Sequence, residues 1–355
     1  MKRRLAALRA LLKERELKAL VVFHLPNVRY LTGFTGSAGA CLVTGRRATF
    51  LSDFRYRTQA AAEVKRFRRV EYREQADGLP AEVRRLRLPR LAFEEEHLSY
   101  SAYRELKRKL SGVRLLPVKG LVEELRARKE EGELRTLRRA AALNGAGLAD
   151  TLPLFRPGAR ESELALALER RLRERGAEGV AFETIVASGP RGALPHGMAA
   201  KKRLRRGELV VVDFGCVVDG YRADTTRTYC LGRASRRARE VYGVVLEANR
   251  AGIAAVRPGA DVREVDAAAR KVIEDAGYGS HFGHGLGHGV GLEVHEAPRL
   301  SPQSKGALAE GMVVTVEPGI YLPGWGGVRI EDMVRVTARG GEVLTSSIPK
   351  DFQVL

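Results

Sequence analysis

Residues 208–228, ELVVVDFGCVVDGYRADTTRT, decide how the second half of the chain folds. Leu209, Val210, Val211 and Val212 are apolar and mostly β-branched, which favours a strand. Asp219-Gly220 is a strong two-residue hairpin signal. Asp213 lies six residues before Asp219, and Asp224 lies four after Gly220. Closing the hairpin therefore brings the two carboxylates within about two rungs, roughly 7–8 Å or less. Two ionised aspartates at that spacing repel, and a shared proton or a bound cation relieves the repulsion. The hairpin is a candidate half of a metal site.

The same pattern occurs again. Residues 311–319, GMVVTVEPG, repeat the rhythm of residues 207–215, GELVVVDFG: a glycine, an acid six positions later, and a glycine two beyond that. The returning segments match too, with Arg222-Ala223-Asp224 answered by Arg329-Ile330-Glu331. Glu317 and Glu331 are symmetric about Gly324, so they are expected opposite one another across a second hairpin. The reading is an internal duplication whose two hairpins meet and present four carboxylates.

Histidines supply the remaining donors. Five of the seven lie between His196 and His295, and His281, His284, His288 and His295 fall within fifteen residues. Glycines alternate with them, read as letting the backbone approach a ligand. One neutral imidazole beside four carboxylates is an oxygen-rich, hard donor set, which favours Mn²⁺ over the thiolate type of zinc site.

The rest of the chain frames that site. At 355 residues there is enough chain for two domains with a core each. Sixty-two Lys and Arg against 43 Asp and Glu leave a net charge of +19. The basic residues are scattered, with short clusters at 201–206 and 236–239, and there is no aromatic-interleaved stripe; nucleic acid is not the expected partner. Cys41, Cys216 and Cys230 are an odd number without C-x-x-C spacing, which points to a reducing compartment. The first residues read as an amphipathic helix, and no run is apolar enough to span a membrane, so a cytoplasmic location is expected.

Residues 1–118 read as a small α/β domain. Strands are expected at 19–23, 41–44, 48–51, 91–93 and 113–116, with helices at 55–65, 80–86 and 101–110. Glu94-Glu95-Glu96-His97 reads as a solvated turn, and the Gly-rich residues 32–39 as a tight turn or substrate-facing rim. After a boundary near 117–120, helices are expected at 121–129, 131–151, 161–175, 235–256 and 262–276, and a strand at 183–187.

Several of these features together resemble a known family. Residues 187–196 (ASGPRGALPH), the aspartates eleven apart, His288 seven before His295, and the glutamates fourteen apart are similar to the pita-bread metallopeptidases, which include methionine aminopeptidase, aminopeptidase P and prolidase. The chain most resembles the proline-specific branch, and over essentially its whole length. The resemblance implies an α+β fold: a creatinase-like α/β domain at 1–118 and an internally duplicated pita-bread domain at 121–355. It implies two divalent ions, Mn²⁺ first and Co²⁺ or Zn²⁺ as alternatives, held by Asp213, Asp224, His288, Glu317 and Glu331. Asp224 and Glu331 would bridge them, and a hydroxide between the ions would attack the peptide. Glu317 would also move the proton, His196 and His295 would contact substrate at the scissile carbonyl, and Arg329 would orient the site. A homodimer is implied as well.

The implied substrate is a peptide with proline at its second position. Residues 34–39 and 52–56 look more like aminopeptidase P-type chains, so Xaa-Pro aminopeptidase is the first expectation and Xaa-Pro dipeptidase the second. Arg299, which matches a position that can meet a dipeptide carboxylate, does not decide between them. Metal-free binding proteins on the same fold lack ligand residues, and here all five are present.

Overall fold

The computed structural model describes residues 1–73 and 75–355, without the side chains of residues 75 and 76. The chain divides into two compact units, Met1–Arg126 and Ala127–Leu355.

The first unit is a six-stranded mixed sheet with helices. Its strands are β1 (Ala19–Val22), β2 (Ala40–Thr44), β3 (Ala48–Ser52), β4 (Arg68–Glu71), β5 (Arg90–Glu94) and β6 (Arg114–Val118), in the order β4-β3-β2-β1-β5-β6. The apolar runs explain the centre: Val21, Leu42, Leu51 and Leu91 pack with Val83 and Leu106 from the helices. Three local features differ from the sequence reading. A helix at Leu25–Thr32 had not been expected; it closes on Gly33, whose φ of 84° suits glycine. Strand β4 was also missed, because its RRVE sequence is polar and it pairs only at the sheet edge, parallel to β3. Glu94 is not solvated: it is 6 % exposed and accepts hydrogen bonds from the backbone N–H groups of Phe23 and His24 and from Asn27.

The second unit repeats one plan twice: a pair of helices backing an acidic hairpin. In the first half, helices Glu131–Thr151 and Glu161–Glu174 precede β7 (Gly179–Val180), β8 (Ile185–Ser188), β9 (Leu209–Phe214), β10 (Cys216–Val218), β11 (Tyr221–Arg222) and β12 (Thr225–Cys230). In the second half, helices Arg236–Ala255 and Val262–Asp275 precede β13 (Gly287–Gly289), β14 (Glu296–Leu300), β15 (Val313–Val316), β16 (Gly319–Leu322), β17 (Gly326–Arg329), β18 (Asp332–Thr337) and β19 (Gly340–Val343). Leu137 and Leu168 share one core with Val210 and Val212, while Val241 and Val265 share another with Val314 and Val316.

Both hairpins fold as their turns dictate. Asp219 and Gly220 have φ of 47° and 78°, as a turn between twisted strands requires. The resulting register pairs Val217 with Arg222 and Asp213 with Thr226. Asp224 lies two residues from Thr226 and so comes out on the same face as Asp213. In the second hairpin Val316 pairs with Asp332 and Gly319 with Arg329, which sets Glu317 opposite Glu331.

The hairpins are joined at β12. The Glu331 backbone N–H donates to the Thr226 carbonyl at 3.0 Å. Next to it, Arg227 is 1 % exposed, donates to Asp332 at 2.8 Å, and also donates to the carbonyls of Glu331 and Ile348. Lys350 also reaches Asp332, at 2.8 Å, so losing Arg227 leaves the carboxylate with one cation but takes the donor from the buried carbonyls of Glu331 and Ile348. Arg227→Met is therefore expected to lower unfolding stability by about 1–3 kcal/mol, read from urea denaturation. An unchanged midpoint would show that the two hairpins do not depend on this pair.

Candidate metal centre

The joined hairpins place the acidic side chains at one locus. One ligand atom each from Asp224, His288 and Glu331 lies within 4.8 Å of the others, and all three residues are buried. Glu317 reaches the same group, with its Oε1 3.2 Å from the His288 Nε2; Asp224 Oδ2 is 3.7 Å from that nitrogen. The His288 Nδ1 lies 3.0 Å from the Gly289 carbonyl, which can only accept, so Nδ1 carries the proton and Nε2 faces the carboxylates.

Asp213 approaches through Arg329. The Arg329 Nη2 donates to Asp213 Oδ2 at 2.6 Å and its Nε to the Thr226 hydroxyl at 3.1 Å. Thr226 in turn donates to Glu331 Oε2 at 2.8 Å. Three further contacts escaped the sequence reading: Thr226 itself, Tyr321 and His284. The Tyr321 hydroxyl accepts from Arg329 Nη1 at 2.9 Å and lies 2.9 Å from the His284 Nε2. A signal was available for Tyr321, since it sits two residues beyond Gly319 on the strand that pairs with Arg329.

Two of the alternating glycines are required by the sheet itself. A Cβ on Gly287 would lie 2.0 Å from the Thr315 carbonyl oxygen, and one on Gly289 would lie 2.2 Å from that of Ala297. They let the strand bearing His288 fit between β14 and β15.

A cavity of about 620 Å³ opens onto these residues. His196, His295 and Arg299 line it together with Asp213, Asp224, His288, Glu317, Arg329 and Glu331, so all nine residues singled out from the sequence share one wall or floor. The His295 ring stands 4.2 Å from that of His288, edge to face. Arg329 Nη1 also donates to the Pro195 carbonyl at 3.2 Å, fixing the turn that carries His196.

The electrostatics ask for more positive charge. Burial is the largest cause raising the Asp213, Asp224 and Glu331 carboxyls, and mutual repulsion adds to it; Arg329 and His288 counter it only in part. Burial also presses on Glu317, but the hydrogen bond and charge of His288 outweigh it and hold this carboxyl at about 2. Two buried oxygens, Asp213 Oδ1 and Glu331 Oε1, have no hydrogen-bond partner. Orphaned carboxylate oxygens facing one imidazole are the donor set that a hard divalent cation fits.

Comparison with known proteins settles the family. Residues 135–338 match the model described as metallopeptidase family M24, and residues 4–128 match the creatinase/prolidase N-terminal domain. This chain belongs to metallopeptidase family M24. The M24 chain is 37 % identical over 335 residues to the Xaa-Pro dipeptidase of Pyrococcus horikoshii, covering 93 % of each. Its structure resembles the Xaa-Pro dipeptidase from Bacillus anthracis with a TM-score of 0.97 and 40 % identity, covering 100 % of this chain and 99 % of that one. It also resembles the X-Pro aminopeptidase from Thermotoga maritima, with a TM-score of 0.89 and 37 % identity over 95 % of this chain and 97 % of that one. The M24 chain is thus an enzyme, a hydrolase. Among the described residues no helix is long and apolar enough to cross a membrane.

A ligand that binds only the folded state stabilises it, by about 2.7 kcal/mol when its free concentration is roughly one hundred times the dissociation constant. Adding Mn²⁺ to chelator-stripped protein is expected to raise the thermal midpoint, and Glu331→Gln to remove most of that rise. A variant that keeps the full Mn²⁺-dependent shift would place the ion elsewhere.

Proposed function

We propose that this M24 hydrolase is an Xaa-Pro dipeptidase, cleaving the bond before a C-terminal proline. Two observations favour it over the aminopeptidase first expected from the sequence. The Pyrococcus and Bacillus relatives bear the dipeptidase name. Those relatives carry the reading, and the exposed Arg299 on the cavity wall fits it, as the cation a free dipeptide carboxylate would meet. The Thermotoga neighbour keeps the aminopeptidase as the second reading.

Asp213, Asp224, His288, Glu317 and Glu331 would hold two divalent ions, with Mn²⁺ suited to so oxygen-rich a set. Such ions, when bound, act as Lewis acids toward the scissile carbonyl and make water acidic enough to be a nucleophile near neutral pH. Glu317 is the proton carrier: its carboxylate takes the proton of the attacking water and delivers it to the proline nitrogen as the C–N bond breaks. That delivery matters because the leaving group is a secondary amine, which departs poorly unless protonated.

His295 and His196 face the carbonyl from the cavity side as hydrogen-bond donors. Burial is the largest cause lowering the His295 pKa, so it acts as a neutral imidazole whose N–H donates to the developing oxyanion. Arg329 holds Asp213 and the Pro195 turn together, keeping metal ligand and substrate histidine in one frame. Phe182, Val294 and Leu300 give the cavity an apolar wall for the proline ring.

Ala-Pro is expected to be hydrolysed and Ala-Pro-Ala to be cleaved at least a hundredfold more slowly in kcat/KM. Equal cleavage of the tripeptide would return the aminopeptidase reading. Arg299→Gln is expected to raise KM for Ala-Pro tenfold or more, since hydrogen bonds to charged groups contribute about 1.5–3 kcal/mol. His295→Ala is expected to lower kcat by ~10²–10³ with metal content unchanged by elemental analysis; loss of metal instead would make His295 a ligand.

A further inference from the structure

Most of the net positive charge of this chain falls in the first unit. Residues 1–126 hold 28 Lys and Arg against 14 Asp and Glu, a net +14 out of the chain's +19. Part of this excess converges on one cavity of about 520 Å³ in the first unit. Lys2 and Arg9 from helix Lys2–Glu14, Arg46 and Arg47 from the β2–β3 turn, and Arg66 line it. Arg68 and Arg85 complete the wall.

The last two are braced from beneath. Glu82, 3 % exposed, accepts from Arg68 at 2.8 Å, from Arg85 at 2.6 and 2.7 Å, and from the Thr49 hydroxyl at 2.7 Å. The Arg85 hydrogen bonds are the main cause holding the Glu82 carboxyl at about 2, so the brace stays charged across the physiological range. One carboxylate thus fixes two guanidinium groups and still leaves the cavity strongly positive.

Exposed arginines elsewhere are of both kinds: Arg57 pairs with Glu71 and Arg263 with Asp261, whereas Arg87, Arg108 and Arg257 form no ion pair among the described residues. What sets the cavity apart is that its cations share one concave surface. In the cavity, the side chains of Lys2, Arg46, Arg47 and Arg66 form no ion pair among the described residues. Like charges gathered around a concave surface focus a positive potential into it.

We infer that this cavity binds a polyphosphate chain, free or carried on a nucleoside. Its volume falls in the range of small-ligand pockets. Guanidinium forks match phosphate oxygens in pairs. A single carboxylate or monophosphate would answer only one or two of these cations, whereas linked phosphates put several negative charges into one small volume. Leu5, Ala6 and Ala48 leave an apolar margin beside the cations.

Isothermal titration of the full-length, metal-loaded protein with sodium tripolyphosphate, ATP and adenosine at low salt tests this. Tripolyphosphate and ATP are expected to bind one per chain and adenosine not at all, with affinity falling as salt rises. ATP binding tighter than tripolyphosphate identifies a nucleoside-borne chain; equal affinity identifies the phosphate chain alone. The double variant Arg46→Glu/Arg47→Glu is expected to lose at least tenfold in affinity with its thermal midpoint unchanged; Arg66→Glu serves should that pair not fold. The control Arg170→Glu/Arg250→Glu, the same charge change on exposed helices of the second unit, is expected to lose less than twofold. No binding of either phosphate ligand, an equal loss in the control, or tighter binding of a random-sequence RNA than of ATP overturns the inference.

Discussion

Four carboxylates crowded into a buried pocket are the constraint from which the second unit follows. Burial and mutual repulsion drive three of them toward the neutral form, so the site needs cations supplied at short range. The protein supplies Arg329 from β17, within the second hairpin itself, and His288 from β13, which pairs with β15. Strand β12 shows how this is arranged. Its Thr226 and Thr228 hydroxyls turn toward Glu331 and the Arg329 backbone, while Arg227 between them turns to Asp332. The period-two alternation of a strand thus puts the polar bridge of the site on one face and the buried ion pair that locks the hairpins on the other.

Much of this was legible because turn chemistry fixes register. Asp219-Gly220 demands a tight turn, and once that turn is placed the pairing of Asp213 with Thr226 follows by counting. The symmetry of Glu317 and Glu331 about Gly324 works the same way. The two strong helical segments around residues 131–151 and 236–255 also carry their signal locally, with capping groups at Glu130 and Ser235.

What the sequence hid depends on distant partners. Glu94 looks like one of three solvated acids, yet its carboxylate is claimed by backbone N–H groups at Phe23 and His24 about seventy residues away. The helix Leu25–Thr32 is short, begins with a proline at its second position, and is anchored by Asn27 to Glu94 and Glu123. No local pattern announces such an anchor. The glycines around His288 are visible in the sequence, but the carbonyls of Thr315 and Ala297 that Gly287 and Gly289 make room for are revealed only by the sheet order.

The same sheet order explains how one scaffold can separate metal chemistry from substrate choice. His288 and Arg299 are direct partners across β13 and β14, and the register shifts immediately after that pair. Cross-strand partners hold their Cβ atoms about 4.5–5.5 Å apart on one face, so the cation proposed to meet the substrate's carboxylate shares a rung with the imidazole beside the carboxylate cluster. On the proposed reading, the spacing between a substrate's carboxylate and its scissile bond would be set by the hydrogen-bonded register of these strands. A change at position 299 can alter which peptide ends are accepted while leaving His288, Asp224 and Glu331 in place. On the proposed dipeptidase reading, selectivity would follow from the β13–β14 register, carried on the strand that pairs with the one bearing His288.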